Sequence, residues 1–262
     1  MSGEPTEGLP RVHARRYVEA LREGGSLPAV IETDAGELVV AKWRGAGQGS
    51  AALVAEVIAG EIARAVGLPM PSLVTLMLDD TLAITERDGE VRDLLRASQG
   101  SNVGMGYLPE ALAFDPAANA ALDGELAAKI VVFDSFVMNV DRTARNTNLL
   151  WSGGKLWLID HGAALYFHHG WDASLDRPGR AFPLVAAHVL LPYATSIPTV
   201  GADLFAAVTD AVLESAVAAI PAEWLPEGDA TARRAAYVAF LRARRDAADA
   251  IVMEANDAAA SV

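Results

Sequence analysis

The sequence predicts an α+β fold, with an antiparallel sheet up to residue 108 and a mostly helical body from residue 109. Three observations carry this. Short apolar segments broken by turn residues recur between residues 28 and 108, the spacing of a small sheet. Residues 123–139 are apolar nearly all round, which marks a central buried helix. Two long helical stretches, 202–219 and 230–256, close the chain.

Each element follows in order. Residues 1–14 read as a ragged end, because Gly3, Pro5 and Gly8 break any pattern. A short helix is expected over 11–23, with Val18, Ala20 and Leu21 on one side, and Glu23-Gly24-Gly25-Ser26 ends it. Pro28–Glu32 and Glu37–Trp43 read as strands around the turn Thr33–Gly36. Alternation puts Leu38, Val40 and Lys42 on one face of the second strand, expected to point inward. Ser50 looks like the N-cap of a helix running to Val66, which Gly67 stops. Residues 72–78 and 81–85 read as strands, 88–97 as a helix and 102–108 as a strand. Helix is expected at 109–113 and 123–139, then a hairpin of Leu149–Trp151 and Lys155–Asp160 around Ser152-Gly153-Gly154. Residues 165–200 are irregular, with a helix expected near 181–190.

Composition narrows the function. The chain has no cysteine, which excludes disulfides, thiolate metal sites and a cysteine nucleophile. A net charge of -13 disfavours nucleic acid as a partner, and any anionic ligand needs a local cation or a metal. No segment approaches a membrane span and the N-terminus lacks a secretory pattern, so a cytoplasmic protein is expected.

Two patches hold candidate chemistry. Glu56 falls on a helical stripe with Leu53, Gly60 and Ala63, where an unpaired carboxylate is costly. A cation should meet it, and Lys42 is the candidate; Glu61 is the competing carboxylate, but Arg64 stands three residues on for a surface pair. The second patch hangs off the buried helix: Asp141, Asn146 five residues later, and Asp160 after the hairpin. A hairpin brings its two ends together, so Asn146 and Asp160 should converge, offering one amide oxygen and one carboxylate suited to Mg2+. Asp141 then stands beside the metal, free to accept a proton from an attacking hydroxyl. Arg142 and Arg145 fit either solvent or phosphate neutralisation; Asn148 reads as a turn residue, and Asp134, inside the apolar helix, as a structural pair. His161, His168 and His169 lack metal-ligand spacing.

These residues carry a resemblance to a known family. Asp141-Arg142-x3-Asn146 followed by Asp160-His161-Gly162 resembles the catalytic loop and metal-binding Asp of the protein-kinase-like fold, above all its phosphatidylinositol-kinase and HipA-like branches. Val39-Val40-Ala41-Lys42 resembles the strand lysine that holds ATP phosphates, Glu56 its ion-pair partner, and Gly67-Leu68-Pro69-Met70-Pro71 the exit from that helix in HipA-like proteins. Gly24-Gly25-Ser26 stands where the phosphate loop belongs, without a Gly-x-Gly-x-x-Gly pattern, and no Ala-Pro-Glu motif follows.

The resemblance implies a two-lobed protein-kinase-like fold, with an N-lobe over 15–108 and a helical C-lobe over 109–262. It implies ATP between the lobes, with Lys42, Glu56, Gly25 and Ser26 at the phosphates and Tyr107 and Leu108 near the adenine. Asn146 and Asp160 would hold Mg2+, and Asp141 would activate the acceptor, most simply a Ser or Thr hydroxyl of a protein. Phosphorylation of a small-molecule alcohol, transfer of AMP, and a non-catalytic nucleotide-binding module are the alternatives.

Overall fold

The computed structural model describes residues 8–21, 27–47, 49–118, 122–171 and 178–262. Its first half is a closed barrel of five strands in the order β1-β2-β3-β5-β4. These are β1 (Arg11–Ala20), β2 (Ala29–Thr33), β3 (Leu38–Lys42), β4 (Leu73–Leu78) and β5 (Gly100–Gly106). The sheet is antiparallel except where β1 runs alongside β4 in parallel, Arg11 to His13 against Thr75 to Met77.

That parallel pairing overturns the expected ragged end to residue 14 and the helix over 11–23. Arg, Ala and Glu favour a helix locally, but β1 gains ladder partners on both sides. Register shifts between Ala14 and Arg16 and between Tyr17 and Glu19 break the two-residue alternation that would have revealed a strand. The expected phosphate loop, Gly24-Gly25-Ser26, lies outside the described residues.

Strand β3 also corrects an expectation. Val39 and Ala41 fill the barrel and Trp43 is buried just beyond them, whereas Val40 and Lys42 face away from the barrel core. Lys42 points instead at helix α1 (Gly49–Ala65). That helix starts one residue before Ser50, which sits in its first turn and does not precede it as a cap. It ends at Gly67, whose φ of +76° suits glycine, with the Leu68 N–H closing back on the Ala63 carbonyl at 2.8 Å.

Residues 81–85 form a short helix, α2 (Thr81–Thr85), where a strand was expected. Consecutive Leu82 and Ala83 are both buried and Ile84 is exposed, a helical and not an alternating pattern. Helix α3 (Gly89–Ala97) follows, capped by Asp88. No helix forms at 109–113: Leu112–Ala113 is a short strand, β6, paired with β7 (Leu149–Ser152), which pairs in turn with β8 (Lys155–Leu158).

The helical body centres on α4 (Gly124–Val137), buried along almost its whole length. The two long terminal helices are each broken in two: α5 (Ile197–Ala207) and α6 (Asp210–Ala218), then α7 (Ala230–Asp246) and α8 (Ala248–Ala259). Thr209 caps α6 and so forces the first break. The helix expected near 181–190 is a pair of single 3-10 turns, Pro183–Ala187 and Leu191–Tyr193, each begun by or containing a proline. One core runs from α1 through α4 to the terminal helices, and a smaller one fills the barrel. Helix α1 belongs to the larger core and packs on α6, so it is fixed to the helical body as well as to the sheet. Among the described residues no helix is long and apolar enough to cross a membrane.

Candidate active site

Helix α1 presents Glu56 from a fully buried position, because its neighbours on that stripe are small enough for close packing. Gly60, one turn on, lies against Leu73 and Met70. The Lys42 ammonium reaches out of β3 and lies 2.6 Å from Oε2 of Glu56 and 2.7 Å from Oδ1 of Asp160. Asp160 arrives from β8, and that strand is pinned to the exit of α1 by the Leu158 N–H, 2.8 Å from the Pro69 carbonyl. The backbone N–H of His161 donates to the same Glu56 oxygen at 2.8 Å. One ammonium thus bridges the carboxylate of the barrel-side helix and the carboxylate that follows the hairpin.

The charges explain each other. Burial works against the Lys42 ammonium, but Asp160 and Glu56 more than offset it and raise its pKa. The same ammonium holds Asp160 below the usual carboxylate range. Burial raises Glu56, with Lys42 opposing. Asp160 keeps 47% of its side chain exposed, and its Oδ2 has no hydrogen bond among the described residues.

The second cluster lies on the loop after α4. Asn146 donates through Nδ2 to Oδ2 of Asp141 at 2.7 Å, which leaves the side-chain oxygen Oδ1 of Asn146 for another partner. The Thr143 N–H reaches the carbonyl oxygens of both Asp141 and Asn146, at 3.1 and 2.9 Å, and makes the loop a tight turn. The hairpin base is closed by the Ile159 N–H on the Asn148 carbonyl at 3.1 Å. That bond joins the segments that carry Asn146 and Asp160, and among the described residues no hydrogen bond links their side chains. Four non-glycine residues around this loop, Met138, Asn148, Asp160 and Leu165, hold left-handed φ between 48° and 54°. Such strain persists only where the surroundings enforce it.

Tyr107 and Leu108 lie where the chain leaves β5. The Tyr107 N–H is taken by the Leu38 carbonyl at 3.1 Å, and its side chain is exposed. Gly25 and Ser26 lie outside the described residues. Arg142 takes neither role weighed for it. It is 1% exposed, and its guanidinium donates to Asp134, to the Asn148 and Ile159 carbonyls and to the His161 ring. Arg145 is exposed. Asp134 is a structural partner, held far below the ordinary carboxylate range: burial opposes its charge, and Arg142 and His188 outweigh the burial.

Sequence reasoning missed Asn139, His188 and Arg244. Arg244, fully buried, caps the C-terminal end of α4 through the Ser135 and Phe136 carbonyls. A signal for the first two was present: a carboxylate inside an apolar helix demands nearby donors.

Comparisons with known proteins bear on the fold and the family. The solved structure of a Helicobacter pylori proinflammatory kinase, CtkA, superposes with a TM-score of 0.59 at 12% identity, covering 96% of this chain and 98% of that one. It shows that the fold is kinase-like. Two structures of the Golgi casein kinase, one with Mn/ADP bound, match more loosely, with TM-scores of 0.47 and 0.49 at 11% identity, covering 95% and 94% of this chain and 74% and 73% of those chains. No curated protein sequence matches. A family model described as HipA-like kinase matches residues 15–244, a span that holds Lys42, Glu56, Asp141, Asn146 and Asp160 together, and the chain belongs to that family.

Proposed function

We propose that this protein is an ATP- and Mg2+-dependent phosphotransferase whose acceptor is a Ser or Thr hydroxyl of a protein. The observation that carries the reading is the Lys42 ammonium shared between Glu56 and Asp160, with Asp141 and Asn146 on the loop that the Asp160 hairpin closes. In this reading the barrel and the helical body act as two lobes that meet at residues 108 and 109, with nucleotide between them.

The residues present fit both groups. An ammonium already held by two carboxylates is a preorganised anion contact. Oδ1 of Asn146 and the unpartnered Oδ2 of Asp160 are hard oxygen donors of the kind magnesium takes, one or two from protein. Bound there, the ion would supply charge neutralisation at the phosphates. Lys42 orients the phosphate chain, and Glu56 and Asp160 fix Lys42. Asp141 accepts the hydroxyl proton as the acceptor oxygen bonds to the γ-phosphorus and the bond to the bridging oxygen breaks, releasing ADP. Asn146 holds the Asp141 carboxylate in place through its amide.

The test is incubation of the full chain with ATP, Mg2+ and a lysate or peptide library, read by mass spectrometry. Addition of phosphoryl groups to Ser or Thr supports the reading. Addition of AMP, or nucleotide binding with no transfer even to itself, overturns it.

A further inference from the structure

The proposed chemistry depends on Asp141 and Asp160 standing in a fixed relation, although Asp141 is partly exposed and sits on a loop. What holds that relation is buried. Asp134 lies inside α4 at 0% exposure and uses both of its carboxylate oxygens. Its Oδ1 accepts from Asn139 Nδ2 at 3.0 Å, and Asn139 Oδ1 in turn accepts the Asp141 backbone N–H at 3.2 Å. Its Oδ2 accepts from Arg142 Nε and from His188 Nε2, the latter at 2.9 Å. Arg142 then reaches across the hairpin base: to the Asn148 carbonyl, to the Ile159 carbonyl at 3.4 Å and to His161 Nε2 at 3.0 Å. Those contacts flank Asp160 on both sides in sequence.

His188 adds a third tie. Its Nδ1 accepts the Leu190 N–H at 3.1 Å, so its Nε2 carries the proton and donates to Asp134. Its backbone bridges to Thr143, and the Val189 N–H meets the Arg142 carbonyl at 3.1 Å. The segment around His188 is thereby fastened to the loop of Asp141.

We propose that Asp134 is the positioning residue of the site, fixing Asp141 through Asn139 and Asp160 through Arg142, and fastening the 183–193 segment to both through His188. The proposal rests on the phosphotransferase reading for its catalytic consequence, but the relay itself is a statement about the loop. A carboxylate buried only for stability would have no need to bind on both sides of Asp141. Replacing it should loosen the loop and the hold on Asp160 while leaving the Lys42–Glu56 pair, and hence nucleotide affinity without Mg2+, in place.

The test uses the full chain and the variants Asp134→Asn, Asn139→Ala and the two combined. Turnover and ATP affinity are measured, with amide exchange over residues 139–148 and 159–162 read by mass spectrometry. Asp134→Asn should lower kcat on the order of 100-fold with ATP affinity measured without Mg2+ changed less than about threefold, and raise exchange in both segments. Asn139→Ala should lower kcat roughly tenfold and raise exchange in the first segment only, and the combined variant should be no worse than Asp134→Asn alone. Unchanged exchange, losses that multiply, or Mg2+-free ATP affinity falling as far as kcat would each overturn the proposal. If Asp134→Asn does not fold, Asn139→Ala decides: wild-type kcat or wild-type exchange at Asp141 and Thr143 sinks it. Should the wild-type chain transfer nothing from ATP, the functional reading fails, and the exchange data alone still decide the relay.

Discussion

The Lys42 ammonium lies 2.7 Å from Oδ1 of Asp160, a residue 118 positions further along the chain. No local preference brings these two together. The contact exists because β3 turns Lys42 away from the barrel core, while β8 is pinned to the exit of α1. Sheet and helical body are thereby joined at the point where the chemistry is proposed.

Lys42→Met removes the cation but leaves Glu56 buried with a single backbone donor. A buried charge stripped of its partner costs about 3–5 kcal/mol. Urea denaturation should show a loss of that order, and Lys42→Met combined with Glu56→Gln should regain most of it. Transfer should stay abolished in both. A double variant no more stable than the single one would mean that Glu56 is not held by Lys42.

Asp141→Ala should lower kcat by about 100-fold to 10,000-fold, the usual worth of a positioned base, while ATP affinity stays within a few-fold. Asp160→Ala should instead lose the Mg2+-dependent part of nucleotide binding. Calorimetric titration with and without Mg2+ separates the two outcomes. Full activity in both variants would remove these residues from the site.

Gly60→Ala should destabilise by about 1–3 kcal/mol, although alanine is the better helix former by about 1 kcal/mol. The added Cβ would stand 2.7 Å from a Leu73 methyl and 3.1 Å from the Met70 methyl. The Leu73 and Met70 side chains must then repack against α1, one turn from Glu56. The expected signature is a lower Tm with a raised KM for ATP.

Much of the site was legible because its residues violate local expectation. Glu56 on a small-residue stripe and Asp134 in an apolar helix both demand partners, and so point beyond themselves. The role of Arg142 was not legible: a guanidinium in a polar run reads as solvated, and only the fold buries it against Asp134, eight residues back. Strand β1 was lost for a different reason. Its bulges disrupt alternation, and its second partner, β4, lies some sixty residues away, beyond the reach of any local pattern. The long terminal helices were right in kind but not in number, since a cap at Thr209 and a break at Ala247 interrupt otherwise continuous helical composition.

Acid should weaken the fold through histidines that are buried neutral. Burial, with a smaller contribution from His169, pushes His168 down to about 3. The unfolded chain takes up that proton near the ordinary histidine value of 6.5, and the folded chain does not until about 3. Stability is therefore lost as pH falls through this window, by up to about 1.4 kcal/mol per pH unit for this group. His168→Phe, among Phe167, Tyr237 and Phe240, should flatten that part of the profile. Denaturant midpoints measured between pH 4 and 7 check it; an unchanged slope would show that His168 is not neutral in the native state.

Closure of the barrel has a consequence for how the molecule behaves in a crowded solution. With β1 seated between β2 and β4, no strand of that sheet offers an unpaired row of amides to a neighbouring molecule. Removing the chain up to Ala20 would uncover two such rows at once. The shortened protein should then self-associate edge to edge and precipitate, even though none of the residues proposed for its chemistry would have been touched.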